Sequence, residues 1–187
     1  MPPKVKITRE DIVKAALDLL RLGGEAALNA RGLAAALSCS TQPLFSNFAT
    51  MEELLEAVTA AAYEHYLSFL QKEAESGKYP PYKAFGMAYI RFAKEESALF
   101  KHLFMCDRHG EALSPGSDFE ASVNMIVSQN GIDRQTAERM HMEMWAFVHG
   151  IATMLATNFL EPEWELISDM LTDVYQGLRT RHVSEGE

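Results

Sequence analysis

Apolar residues in this chain recur at three- and four-residue spacing from end to end and nowhere alternate in twos, so the pattern predicts helices throughout and no strands. Thr8 opens the first helix, with Asp11 three residues on as a short capping box. Ile12, Ala16, Leu19 and Leu20 form its buried stripe, and Gly23-Gly24 ends it. Asn29 caps a short helix carrying Leu33, Ala34 and Leu37, which Ser38, Cys39 and Ser40 interrupt. A second short helix follows at once. Ser40 is placed to cap it, Pro43 suits a first turn whose N–H groups lack partners anyway, and Leu44 and Phe48 face inward. Thr50 then caps a long helix bearing Leu54, Val58, Ala62, Tyr66, Phe69 and Leu70, which stops before Gly77 and Pro80-Pro81.

Beyond Pro81 the helices become bulkier. Residues 82–95 carry Phe85, Ala88, Tyr89 and Phe92, and residues 97–106 carry Leu99, Phe100, Leu103, Phe104 and Met105. A loop at Ser114-Pro115-Gly116-Ser117 precedes a helix capped by Asp118 and closed by Asn130-Gly131. Asp133 caps the longest helix, reaching about Asn158. Pro162 and Glu163 start the last, whose amphipathic stripe is Ile167, Met170, Leu171, Val174, Tyr175 and Leu178. The expected fold is all-α with about nine helices. Residues 1–53 are expected to form a three-helix, helix-turn-helix head, and residues 54–187 a second helical domain.

The run Ser38-Cys39-Ser40-Thr41-Gln42-Pro43-Leu44-Phe45-Ser46-Asn47-Phe48-Ala49-Thr50-Met51-Glu52-Glu53-Leu54 resembles the Gly-Val-Ser-x-x-x-Leu-Tyr-x-His-Phe-x-x-Lys-x-x-Leu signature of tetracycline-repressor-type (TetR) transcriptional regulators. Leu44, Phe48 and Leu54 match outright; Phe45 and Asn47 are near matches. The likeness extends back to about Thr8. Three departures stand out: Ser38 where the family has glycine, Asn47 where it has histidine, and Met51 where a lysine reaches a phosphate. The resemblance implies a homodimer that binds double-stranded, near-palindromic operator DNA and releases it when a small effector binds. Arg31, Ser40, Thr41, Gln42, Pro43, Phe45, Ser46 and Asn47 are then the DNA-facing set. Gln42 carries the amide suited to adenine, and Asn47 an amide able to donate to phosphate.

The segment Trp145-Ala146-Phe147-Val148-His149-Gly150 resembles a subgroup of these regulators marked by Trp-x-x-x-His-Gly in the effector domain. His141, Trp145 and His149 share one helical face. An apolar ligand cavity is expected there, formed by Tyr89, Phe100, Phe104, Met125, Trp145 and His149. The plainer alternative has Trp145 filling core, His149 bonding a neighbouring helix and Gly150 permitting close approach. Ten methionines, among them Met105, Met125, Met140, Met142, Met144 and Met154, suit an adaptable pocket or simply a Met-rich core. Dimerisation is expected through a four-helix bundle centred on Met154, Ile167, Met170, Val174 and Leu178.

Charge and composition narrow the picture. The net charge is −9, yet residues 1–50 hold six basic against four acidic side chains, so only this segment is suited to a polyanion. No apolar run spans a bilayer and no signal-peptide pattern appears, so a cytoplasmic protein with no membrane partner is expected. Cys39 and Cys106 make neither a disulfide framework nor a zinc spacing. Glu138-Arg139-Met140-His141 lacks the second Glu-x-x-His of a di-metal site, and His102, Cys106, Asp107 and His109 lack a further ligand. No phosphate-loop or nucleophile-elbow motif is present. The expectation is therefore no enzyme, no cofactor and no metal, with a helical ligand-binding or protein-interaction module that has lost operator binding as the alternative function.

Overall fold

The computed structural model describes residues 7–106 and 117–184. Among these it is all-helical. Its nine α-helices are α1 Arg9–Gly23, α2 Ala30–Ala36, α3 Gln42–Asn47, α4 Met51–Ala74, α5 Pro81–Glu95, α6 Ser97–Phe104, α7 Ser117–Asn130, α8 Arg134–Ala156 and α9 Trp164–Ser184, with a 3-10 turn at Glu25–Ala27. None of these helices is long and apolar enough to cross a membrane.

Helix starts follow local side-chain chemistry. The Thr8 hydroxyl accepts the Asp11 N–H at 3.1 Å while the Asp11 carboxylate accepts the Thr8 N–H at 2.9 Å, a reciprocal box that opens α1. Asn29 accepts the Gly32 N–H at 3.0 Å to open α2, Thr50 accepts the Glu53 N–H at 3.2 Å, and Asp133 accepts the Thr136 N–H at 3.0 Å. Three sequence-level details are corrected. Thr41, not Ser40, stands at the N-cap of α3, in helical conformation and without a side-chain cap bond. Asp118 lies inside the first turn of α7 instead of capping it. At 24 residues α4, not α8 with 23, is the longest described helix.

The end of α2 explains why α3 starts so abruptly. Ser38 sits at φ 50°, its N–H donating to Ala35 O at 3.0 Å while the Cys39 N–H donates to Ala34 O at 2.9 Å. This paired closure normally uses glycine, because a Cβ in the left-handed region meets the following carbonyl. Ser38→Gly is expected to raise stability by about 0.5–1 kcal/mol, relief of that strain outweighing the extra freedom glycine gives the unfolded chain. Urea denaturation of the two proteins checks it.

Two compact units divide the chain. In the first, residues 7–66 and 96–106, α1 packs against α2, α3, α6 and the 3-10 turn around Ile12, Leu20, Leu33, Leu44, Phe48 and Phe100. In the second, within residues 67–95 and 117–184, α5 packs on α7, α8 and α9 around Ile90, Phe92, Val123, Met140 and Ile167. Gly86 allows the close approach of α5: a Cβ there would lie 3.1 Å from Leu171 Cδ2 and 3.6 Å from Val148 Cγ2. The units do not follow a boundary at 53/54. Residues 54–66 of α4 and the whole of α6 pack with the head.

Candidate functional site

Within the first unit α2 and α3 present a two-sided surface. Leu44 and Phe48 are buried on the inner side, and Ser40, Gln42, Phe45 and Ser46 are exposed on the other, Phe45 showing 49% of its surface. Thr41 and Pro43 are half-buried, and Arg31 is exposed in the first turn of α2. The sequence-derived set is thus brought together on one short stretch of chain, with two changes of role. The Ser46 hydroxyl donates to Gln42 O at 2.9 Å, leaving Ser46 to act as an acceptor. Asn47 Nδ2 donates to Pro43 O at 2.8 Å and to Ile7 O at 3.5 Å, so its amide also serves the head itself.

Two arginines of the first unit are paired from within. Arg9 Nη1 bonds Asn47 O at 2.8 Å and Glu53 Oε1 at 2.9 Å, and Arg21 pairs with Glu96. Glu53 is held below its ordinary carboxylate range, first by the Ala49 N–H and then by Arg9, and Glu52 is lowered by its own backbone N–H and by Thr50. Both therefore stay ionised at the start of α4, beside Met51, which stands where the resembling family has a phosphate-binding lysine. Lys4 and Lys6 lie outside the described residues.

The residues expected to line one ligand cavity are split. Phe100 and Phe104 belong to the first unit, where Phe104 meets the Tyr66 ring edge-on at 5.0 Å. Their neighbour His102 bonds Glu25 at 2.7 Å through Nδ1 and the Thr59 hydroxyl at 2.8 Å through Nε2. Tyr89, Met125, Trp145 and His149 belong to the second unit. There the Trp145 indole stacks on the His149 imidazole, centroids 4.9 Å apart and planes 14° apart, with 41% of Trp145 exposed. Trp145 is neither plain core nor enclosed. Gly150 faces open space within its unit, so it serves no close approach there.

Two hydroxyl–imidazole bonds join α5 to α8: Tyr89 to His149 Nδ1 and Tyr82 to His141 Nδ1, each at 2.9 Å. Burial pushes both phenols well above their ordinary range and both imidazoles below theirs, His141 partly offset by Asp118. Each bond therefore joins a neutral phenol to a neutral ring. Phe119 adds an edge contact to His141 at 5.0 Å. The Tyr82–His141 pair escaped the sequence reading. Its signal was the spacing, tyrosines seven apart facing histidines eight apart.

Of the residues assigned to a dimer seam, Met154 is exposed and Met170, Val174 and Leu178 are half-buried. Ile167 is not available: with no exposed surface, it is core of its own unit. Outside that set, Leu166 on α9 and Met142 and Trp145 on α8 are also exposed large apolar side chains. Among the described residues no three His, Cys, Asp or Glu side chains gather closely enough to hold a metal, and Asp107 and His109 lie outside them. No protein-family model matches this chain, and no curated protein is significantly similar to it in sequence.

Proposed function

We propose that this chain is a transcriptional regulator of the tetracycline-repressor type, a cytoplasmic repressor that binds a near-palindromic operator as a homodimer and releases it when a small apolar effector binds. The observation that carries this reading is the pair of short helices joined by a left-handed turn, the second burying Leu44 and Phe48 and turning Gln42, Phe45 and Ser46 outward. A helix with short polar side chains outward fits the major groove, and Gln42 offers the two-bond match to adenine. The dimer seam is assigned to Met154, Met170, Val174 and Leu178, with Leu166 in place of Ile167. The effector is assigned to the second unit, at the half-exposed indole of Trp145 backed by the Tyr89–His149 pair.

A second reading, a helical binding module without operator affinity, is favoured by the charge pattern, since Arg9 and Arg21 are paired internally and the ionised Glu52 and Glu53 directly follow Met51. Fluorescence anisotropy on DNA from upstream of the chain's own gene separates the two. The regulator should bind specifically, Gln42→Ala should cost about 1–3 kcal/mol at one base position, and Met51→Lys should tighten binding and steepen the salt dependence by about one phosphate. Absence of specific binding by the native protein at low salt, unrepaired by Met51→Lys, would leave the second reading.

A further inference from the structure

Arg9 and Glu53 stand 44 residues apart in sequence and meet at the C-terminal end of α3. Each residue that ends that helix is held by one of them. Arg9 Nη1 takes the Asn47 carbonyl at 2.8 Å, the Arg9 guanidinium lies 3.9 Å from the centroid of the Phe48 ring, and the second oxygen of Glu53 takes the Ala49 N–H at 2.7 Å. Arg9 Nη1 and Glu53 Oε1 close the loop at 2.9 Å. Asn47 adds its own bond to Ile7 O, just before α1.

We infer that Arg9 and Glu53 are a positioning pair for the reading helix, setting the angle at which α3 leaves the head, and that Arg9 is not a phosphate ligand. This rests on the DNA-reading proposal above for its functional consequence, but not for its structural one. Both side chains are substantially exposed, 49% and 38%, and ion pairs of that kind add little to global stability. What the pair fixes is orientation. Both acceptors found for Arg9 are met by Nη1, one face of the guanidinium lies on Phe48 and its charge is balanced by Glu53, so the side chain is held for α3 even though Nε and Nη2 take no part in these bonds. Arginine is needed because a planar fork can stack and bond at once, which a lysine ammonium cannot do.

Three variants test this: Arg9→Ala, Arg9→Lys and Glu53→Gln. In the free protein, amide hydrogen exchange at Phe45–Ala49 should speed up about tenfold in Arg9→Ala, with Leu20 and Leu33 unchanged, as a local opening requires. Lysine should not restore protection, and Glu53→Gln, which keeps the shape and loses the charge, should give a smaller rise. On DNA that the native chain binds, Arg9→Ala should lose about tenfold in specific affinity while the slope of log K against log salt stays as it was. Unchanged exchange at α3 overturns the inference, as does a salt slope reduced by about one with rescue by Arg9→Lys, the signature of a phosphate contact. If the native chain binds no DNA, the functional reading fails while the exchange result still decides the clamp.

Discussion

Phe48→Ala should destabilise the first unit by about 3–5 kcal/mol and abolish operator binding. The ring is 2% exposed, it closes α3 against the head, and it is the surface on which Arg9 rests, so its loss opens a cavity and removes the platform of the clamp together. Phe45, three residues earlier and half exposed, is the control. Phe45→Ala should change stability by no more than about 0.5 kcal/mol. Urea denaturation of both variants reads the difference. Equal losses would mean that the inner and outer faces of α3 have been assigned the wrong way round.

His141→Leu should cost about 1–3 kcal/mol, because it strands the buried Tyr82 hydroxyl, whereas Tyr82→Phe combined with His141→Leu should recover much of that loss. A double variant as damaged as the sum of the two singles would show that the pair does not act as a bond. The same imidazole gives the fold a pH dependence of defined sign. Burial lowers the folded-state value below the ordinary one, so the unfolded chain binds the proton first as pH falls. Stability is full above the ordinary histidine range near pH 6.5 and declines as pH drops from there through the lower folded value. Unfolding at pH 7.5 and pH 5 should therefore differ less in His141→Leu than in the native chain, the remainder belonging in part to His149, whose shift has the same direction.

What the sequence made legible was whatever acts across one turn. Thr8 with Asp11, Asn29 with Gly32, and Asp133 with Thr136 are contacts between residues three apart, and the amino acids alone specify them. Ser40 failed as a cap because the closure of α2 at Ser38 and Cys39 already sets the path of the chain into α3, leaving Thr41 at its start. Ile167 failed as a seam residue for a different reason. A stripe on α9 tells which side is apolar, not whether its neighbour is α5, α8 or another molecule, and Ile167 turned out to be spent on its own unit. Phe100 and Phe104 carry a helix periodicity that fits either unit equally well, and only packing decided for the first. Arg9 with Glu53 had no local signal at all.

The two tyrosine–histidine bonds rise in the same order along both helices, 82 with 141 and 89 with 149, so α5 and α8 run parallel and are pinned at two levels about two turns apart. Sliding α8 by one turn, about 5.4 Å, would bring Ala137 opposite Tyr82 and Trp145 opposite Tyr89, or in the other sense Trp145 and Thr153. Neither of these one-turn registers brings an imidazole to either tyrosine. A one-turn slide of α8 must therefore carry α5 along as one body, or break both bonds together.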